Sequence, residues 1–267
     1  MKRFLIVHAD DFGLCEEITE GIIKAYRKGI LTSTSVVVNG SYFEEGVDFL
    51  KDSGIDAGIH LTFVGGEKPV SGYIDGLVDE KGLFLKSYGD VIRRLISGSF
   101  DKKALQKELY GQIGILKDKI GEISHIDSHQ HLHLLPPIRS VMIDAATEFK
   151  IKWIRTPHSR FSGISGIGLN ILGLLLRRKL KKHHLSFADN FIGFEERGHL
   201  NKERLLALLK NLKGGITELM VHPGYDASFR YDWQYSWKDE LDALVSDSAK
   251  DELKKSGIIL TNFSEMK

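Results

Sequence analysis

The 267-residue chain has a single cysteine, Cys15, so no internal disulfide can form and a reducing cytoplasm is the expected compartment. Net charge is nearly absent as well. Lys and Arg number 37 against 36 Asp and Glu, which leaves +1 and no general attraction to nucleic acid. Long hydrophobic runs are missing too. The apolar start after Lys2 and Arg3 breaks off at His8, too early for a signal peptide. The longest apolar stretch, Ile164 to Leu176, is interrupted by Ser165, Asn170 and three glycines and falls short of a membrane span. With five prolines, no Gly/Ser-rich linker and no fixed-period repeat, one domain covering 1–267 is the simplest organisation. No G-x-G-x-x-G follows the first strand and no P-loop occurs, so a nucleotide cofactor is not expected.

What is present is an alternation of short β-branched or apolar runs with stretches of helical period. Strands are expected at 3–7, 33–38, 57–63, 123–128, 152–156, 187–192, 217–222 and 257–261. Leu14, Ile18, Ile22 and Tyr26 form a helical stripe ending at Gly29, a candidate C′ glycine. A second stripe runs from Leu105 to Ile120, and a third follows Asn201, a candidate N-cap. Seven or eight such units predict an α/β fold, a single-domain irregular (β/α)7–8 TIM-like barrel.

The ionisable residues fall at the ends of these strands. Asp10 and Asp11 follow the first, His60 ends the third, His129 follows the fourth, Arg155 ends the fifth and His222 the seventh. In a barrel those positions meet at the C-terminal rim, where side chains from separate strands converge on one pocket. Pro136, Pro137, Pro157 and Pro223 come soon after these ends and mark strand stops. Alone, each Asp or His reads more simply as a cap or an Asx-turn. Together they point to a site. Adjacent side chains such as Asp10 and Asp11 diverge and suit different roles, one as metal ligand and one as general base.

Residues 125–133 read HIDSHQHLH, with His or Asp at every second position. If the strand continued through all nine, they would share one face, and metal binding is the natural reason for so many imidazoles. Spacing allows either His125 with His129 or His129 with His131 as the pair. Two imidazoles and a carboxylate leave open positions on a metal for water and substrate, which suits hydrolysis or oxygen chemistry.

The motifs HADDFG (8–13), LTSTSVVVNG (31–40), GIHL (58–61), HIDSHQHLH (125–133), RTP (155–157) and HPG (222–224) resemble, in order and over nearly the whole chain, the YdjC-like carbohydrate deacetylases of the chitooligosaccharide type. The resemblance implies a barrel related to those of polysaccharide deacetylases and the hydrolysis of an N-acetyl group on a sugar. By it, Asp11, His60 and His129 are the ligands of a divalent metal, Mg²⁺ or Zn²⁺. Asp10 is then the general base, His222 the acid that protonates the leaving amine, and Arg155 the group that orients Asp10 or contacts substrate. The pattern departs from the family at His8, Gln130 and His131, none of them an implied ligand.

Asp127 and His131 are expected to contact substrate. Residues 225–237 hold six aromatics, of which Trp233 and Trp237 are candidates for stacking on a sugar ring; the alternative is that they anchor a loop. Residues 167–184 join an apolar half to a basic half. Such a segment is expected to be a helix packed on the barrel or on a second subunit of a homodimer, with a membrane surface as the alternative. Rival functions are another mono- or dinuclear metallohydrolase acting on phosphoesters or cyclic amides, an Fe(II) oxygenase, and a non-catalytic sugar-binding module.

Overall fold

Each expected strand forms in the computed structural model, which describes residues 1–160 and 163–266. The first half of the chain supplies β1 (Arg3–Phe12), α1 (Glu16–Lys28), β2 (Ser33–Val36), α2 (Phe43–Ser53), β3 (Asp56–Leu61), α3 (Tyr88–Ser97), α4 (Lys102–Ile120) and β4 (His125–Ser128). A 3₁₀ segment (His129–Leu134) leads to α5 (Pro136–Phe149), β5 (Trp153–Ile154), α6 (Ile164–Lys182), β6 (Asn190–Ile192) and α7 (Lys202–Lys210). The chain ends with β7 (Gly215–Val221), α8 (Trp237–Val245), α9 (Asp247–Lys255) and β8 (Ile258–Leu260).

All strand pairs are parallel, in the order β5-β4-β3-β2-β1-β7-β6, with β8 beside the first half of β1. Between β5 and β6 the wall is joined at a bridge from Trp153 to Ser186. The result is an irregular β/α barrel, as expected. Among the described residues no helix is long and apolar enough to cross a membrane.

Side-chain alternation divides each strand between two cores. Leu5, Val7, Leu219 and Val221 point outward into a large apolar layer shared with helix residues such as Ile18, Ile22, Leu109 and Leu205. The inward positions are mostly polar. Ile6, Trp153 and Phe263 form an apolar floor; above it come His8, Ser33, Asp56 and His125, then Ser35, Asp10, Asp127, Arg155 and Glu218. Helix caps follow the expected chemistry at Asn201, whose side chain accepts from the Arg204 N–H. Gly29 differs from expectation. It sits at the C-cap with φ −111°, and glycine is needed there because a Cβ would lie 2.6 Å from the Leu244 carbonyl oxygen.

Candidate metal centre

The site begins with a distortion of β1. A regular strand would turn Asp10 inward and Asp11 outward, but the pairing with β2 slips between Ala9 and Phe12, and Asp11 adopts a left-handed φ of 72°. Both carboxylates therefore face the mouth of the barrel. Strained backbone at a non-glycine residue is where a functional constraint is expected.

Around Asp11 the ring nitrogens of two histidines converge. Its Oδ1 lies 3.3 Å from Nε2 of His60 and 3.2 Å from Nδ1 of His129. The three ligand atoms lie within 4.8 Å of one another, in a buried setting. His60 is fixed from behind, because its Nδ1 is 2.7 Å from Asp127 Oδ1. That arrangement leaves Nε2 free for a metal and makes the ring a stronger donor. Burial alone would lower the His60 pKa, but Asp127, Asp10 and Asp11 outweigh it and raise it to about 9. The donor set therefore fits a divalent cation, which supplies the positive charge these carboxylates favour.

Asp10 has a different neighbour. Arg155 donates to both of its oxygens at 2.7 Å, to Asp127 at 2.8 Å and, through Nε, to Glu218 at 2.6 Å. Burial would raise the Asp10 and Asp127 pKa values, yet the guanidinium charge overrides it and holds both carboxyls well below the usual range. Burial wins at Glu218, whose pKa is raised despite Arg155. Above Asp10, His222 Nε2 stands 3.9 Å from Oδ2, and its backbone N–H donates to Glu240 at 2.5 Å.

The other histidines of 125–133 do not share one face, because β4 stops at Ser128 and Gln130 and His131 take φ values of 53° and 56°. That turn carries His129 to Asp11 and sends its neighbours elsewhere. His125 stays below, against Phe263 and Ser124. His133 pairs with Ser128 through Nδ1 and donates from Nε2 to the Arg155 carbonyl. His131 rests beside Phe191 and Phe194 and is half-buried. Asp127, expected to touch substrate, is 0% exposed and spends its oxygens on His60, Ser35 and Arg155.

A family model described as YdjC-like protein matches residues 4–255. The chain belongs to that family. Similar curated relatives are named carbohydrate deacetylase: one from Thermoanaerobacter pseudethanolicus is 30% identical over 99% of this chain and 100% of its own length. A second, from Homo sapiens, is 27% identical over 98% of this chain and 90% of its own. The same fold occurs in a crystal structure from Enterococcus faecalis, provisionally described as a cellobiose-phosphate cleavage protein. It has a TM-score of 0.79 at 22% identity and covers 100% of this chain and 99% of that one.

Several residues of this YdjC-like site were not singled out by sequence reasoning. Ser33 and Ser35 bond His8, and Glu218 and Glu240 support Arg155 and His222. Ser33, Ser35 and Glu218 were marked as polar residues within the strand segments TSTSV and ITELMV, whereas Glu240 lies on α8. Glu67 carried no such signal. It lies in the β3–α3 loop, and burial raises its pKa against the pull of His129.

The aromatic segment divides. Trp233 is half-buried, with its ring 5.0 Å from that of His129 and Tyr231 stacked on it at 4.5 Å. Trp237 is 2% exposed, starts α8 and packs on Gly224. It has no surface to offer a sugar. Trp233→Ala is expected to raise KM severalfold at unchanged unfolding midpoint, whereas Trp237→Ala is expected to cost about 3–5 kcal/mol of stability. Saturation kinetics with denaturant titration of both variants check this, and the reverse pattern would reassign the two rings.

Proposed function

We propose that this protein is a metal-dependent deacetylase that hydrolyses the N-acetyl group of a sugar. The observation that carries the reading is the buried triad Asp11, His60 and His129, flanked by a carboxylate and an imidazole that are not part of it. The carbohydrate deacetylase relatives support it. Asp11, His60 and His129 would hold the ion. Two imidazoles favour a borderline ion such as Zn²⁺ over Mg²⁺, which prefers oxygen ligands. When bound, the ion supplies Lewis acidity at the acetyl oxygen and lowers the pKa of water.

The chain's own residues do the rest. Asp10 is ionised throughout the neutral range and takes a proton from the attacking water as oxygen adds to the acetyl carbon. Arg155 keeps that carboxylate in place, so no orienting motion is needed at the moment of reaction. Held this acidic, Asp10 is a weak base in water; the lowered pKa of the nucleophile compensates. On collapse of the tetrahedral adduct the C–N bond breaks, and protonated His222 gives its proton to the leaving nitrogen. Acetate and a free amine result. Asp127 and His8 position these groups without touching substrate, and Trp233 covers one side of the pocket.

The test is acetate release from diacetylchitobiose and related N-acetylated sugars by chelator-stripped protein, with Zn²⁺, Co²⁺ or Mg²⁺ added back. Metal is expected to restore release, Zn²⁺ or Co²⁺ better than Mg²⁺, and folded His129→Ala is expected to stay inactive. Metal binding without acetate release from any sugar would refute the proposal.

A further inference from the structure

Residues 149–188 contain nine of the 37 Lys and Arg and none of the 36 Asp and Glu. Their centre is α6. Leu176 and Leu180 are fully buried against the barrel, with Leu169 and Leu172 beside them. The opposite face is apolar where a surface helix is ordinarily polar. Ile167, Ile171, Leu174 and Leu175 are 50, 55, 53 and 40% exposed, and their spacing places them in a single stripe. One turn further on, the same face carries Arg178 and Lys182, with Lys179 and Lys181 to either side, all exposed.

The helix lies beside the mouth of the barrel. Asn170 brackets the backbone of Ser159 with both amide atoms, and Arg177 reaches Thr156, so α6 runs antiparallel to β5. Its first turns, which hold Ile167, extend beyond the C-terminal end of that strand.

We propose that the outward face of α6 is a docking surface for an anionic lipid bilayer. The apolar stripe enters the boundary between headgroups and acyl chains, and the basic turns meet lipid phosphates. Charge decides for this occupant over a second copy of the chain. A copy pairing through the same helix brings no acidic side chain to the basic turns, because α6 has none. Area points the same way: four half-exposed side chains fall well short of the roughly 800 Å² per partner of a stable dimer. The inference does not depend on the reaction catalysed.

Co-sedimentation of the full-length protein with vesicles tests it, using phosphatidylcholine alone or mixed with phosphatidylserine. Binding to the anionic vesicles is expected, with little to the neutral ones and a marked loss at about 0.5 M salt. Ile171→Glu/Leu174→Glu and Arg178→Glu/Lys182→Glu are each expected to weaken it about tenfold or more. Circular dichroism and acetate release from a soluble substrate serve as controls that the variants are folded. No binding to anionic vesicles overturns the proposal. So does binding that both variants retain, or self-association by light scattering that the variants abolish without any vesicle binding.

Discussion

Asp10→Asn is expected to lower kcat for acetate release by about 10²- to 10⁴-fold while leaving metal stoichiometry unchanged. Asparagine keeps the shape and one acceptor oxygen, so Arg155 retains part of its hold there and all of it on Asp127 and Glu218. What disappears is the proton acceptor. Metal retention is expected because both Asp10 oxygens already face a guanidinium, whereas Asp11 faces two imidazoles. Metal content by atomic absorption and single-turnover kinetics separate the two effects, with Asp11→Asn as the companion that should lose the ion. If Asp10→Asn also loses metal, Asp10 is a ligand. If kcat falls only a few-fold, the base lies elsewhere, and His222 at 3.9 Å is the next candidate.

The second large effect is on stability. Arg155→Met is expected to destabilise the fold by about 3–5 kcal/mol or more, because it leaves Asp10, Asp127 and Glu218 buried without their shared cation. Arg155→Lys should recover only part of this, since an ammonium cannot span the three carboxylates as the planar fork does. The pH dependence should also reverse. In the native protein the depressed Asp10 and Asp127 pKa values contribute stability that is present above the unfolded carboxylate pKa and lost as pH falls below it. Without the guanidinium, burial raises those pKa values, the folded state binds more protons than the unfolded one, and stability rises from pH 7 towards 5. Urea midpoints of native and Arg155→Met protein from about pH 7 down to about pH 3 measure the sign of both slopes. A native-like slope in the variant would mean that another cation neutralises the cluster.

The fold class was legible because burial imposes its periods directly on the sequence: two in the strands, and three to four in helices such as α1 and α4. The rim residues were legible only as a set, since one polar residue at a strand end reads as a cap, whereas polar residues at the ends of five strands converge on one mouth. Asp11, His60 and His129 could be named as a group, but only the resemblance, and not their spacing, singled them out among the other histidines.

The alternation of HIDSHQHLH was misleading as a nine-residue strand. Whether a ladder continues depends on a neighbour, and β4 loses its partners after Ser128, where two left-handed residues turn the chain. The roles of Asp127 and Trp237 were hidden for a related reason. Exposure belongs to the packed molecule, and a carboxylate between His60 and Arg155 looks in sequence like one that faces substrate. The sequence by itself determined the barrel, its rim and the residue types available there. Only the tertiary structure decided which imidazoles meet Asp11, that one arginine neutralises three carboxylates from different strands, and which tryptophan remains within reach of the pocket. Those contacts join residues up to 145 positions apart, and no local period encodes a distance across the barrel.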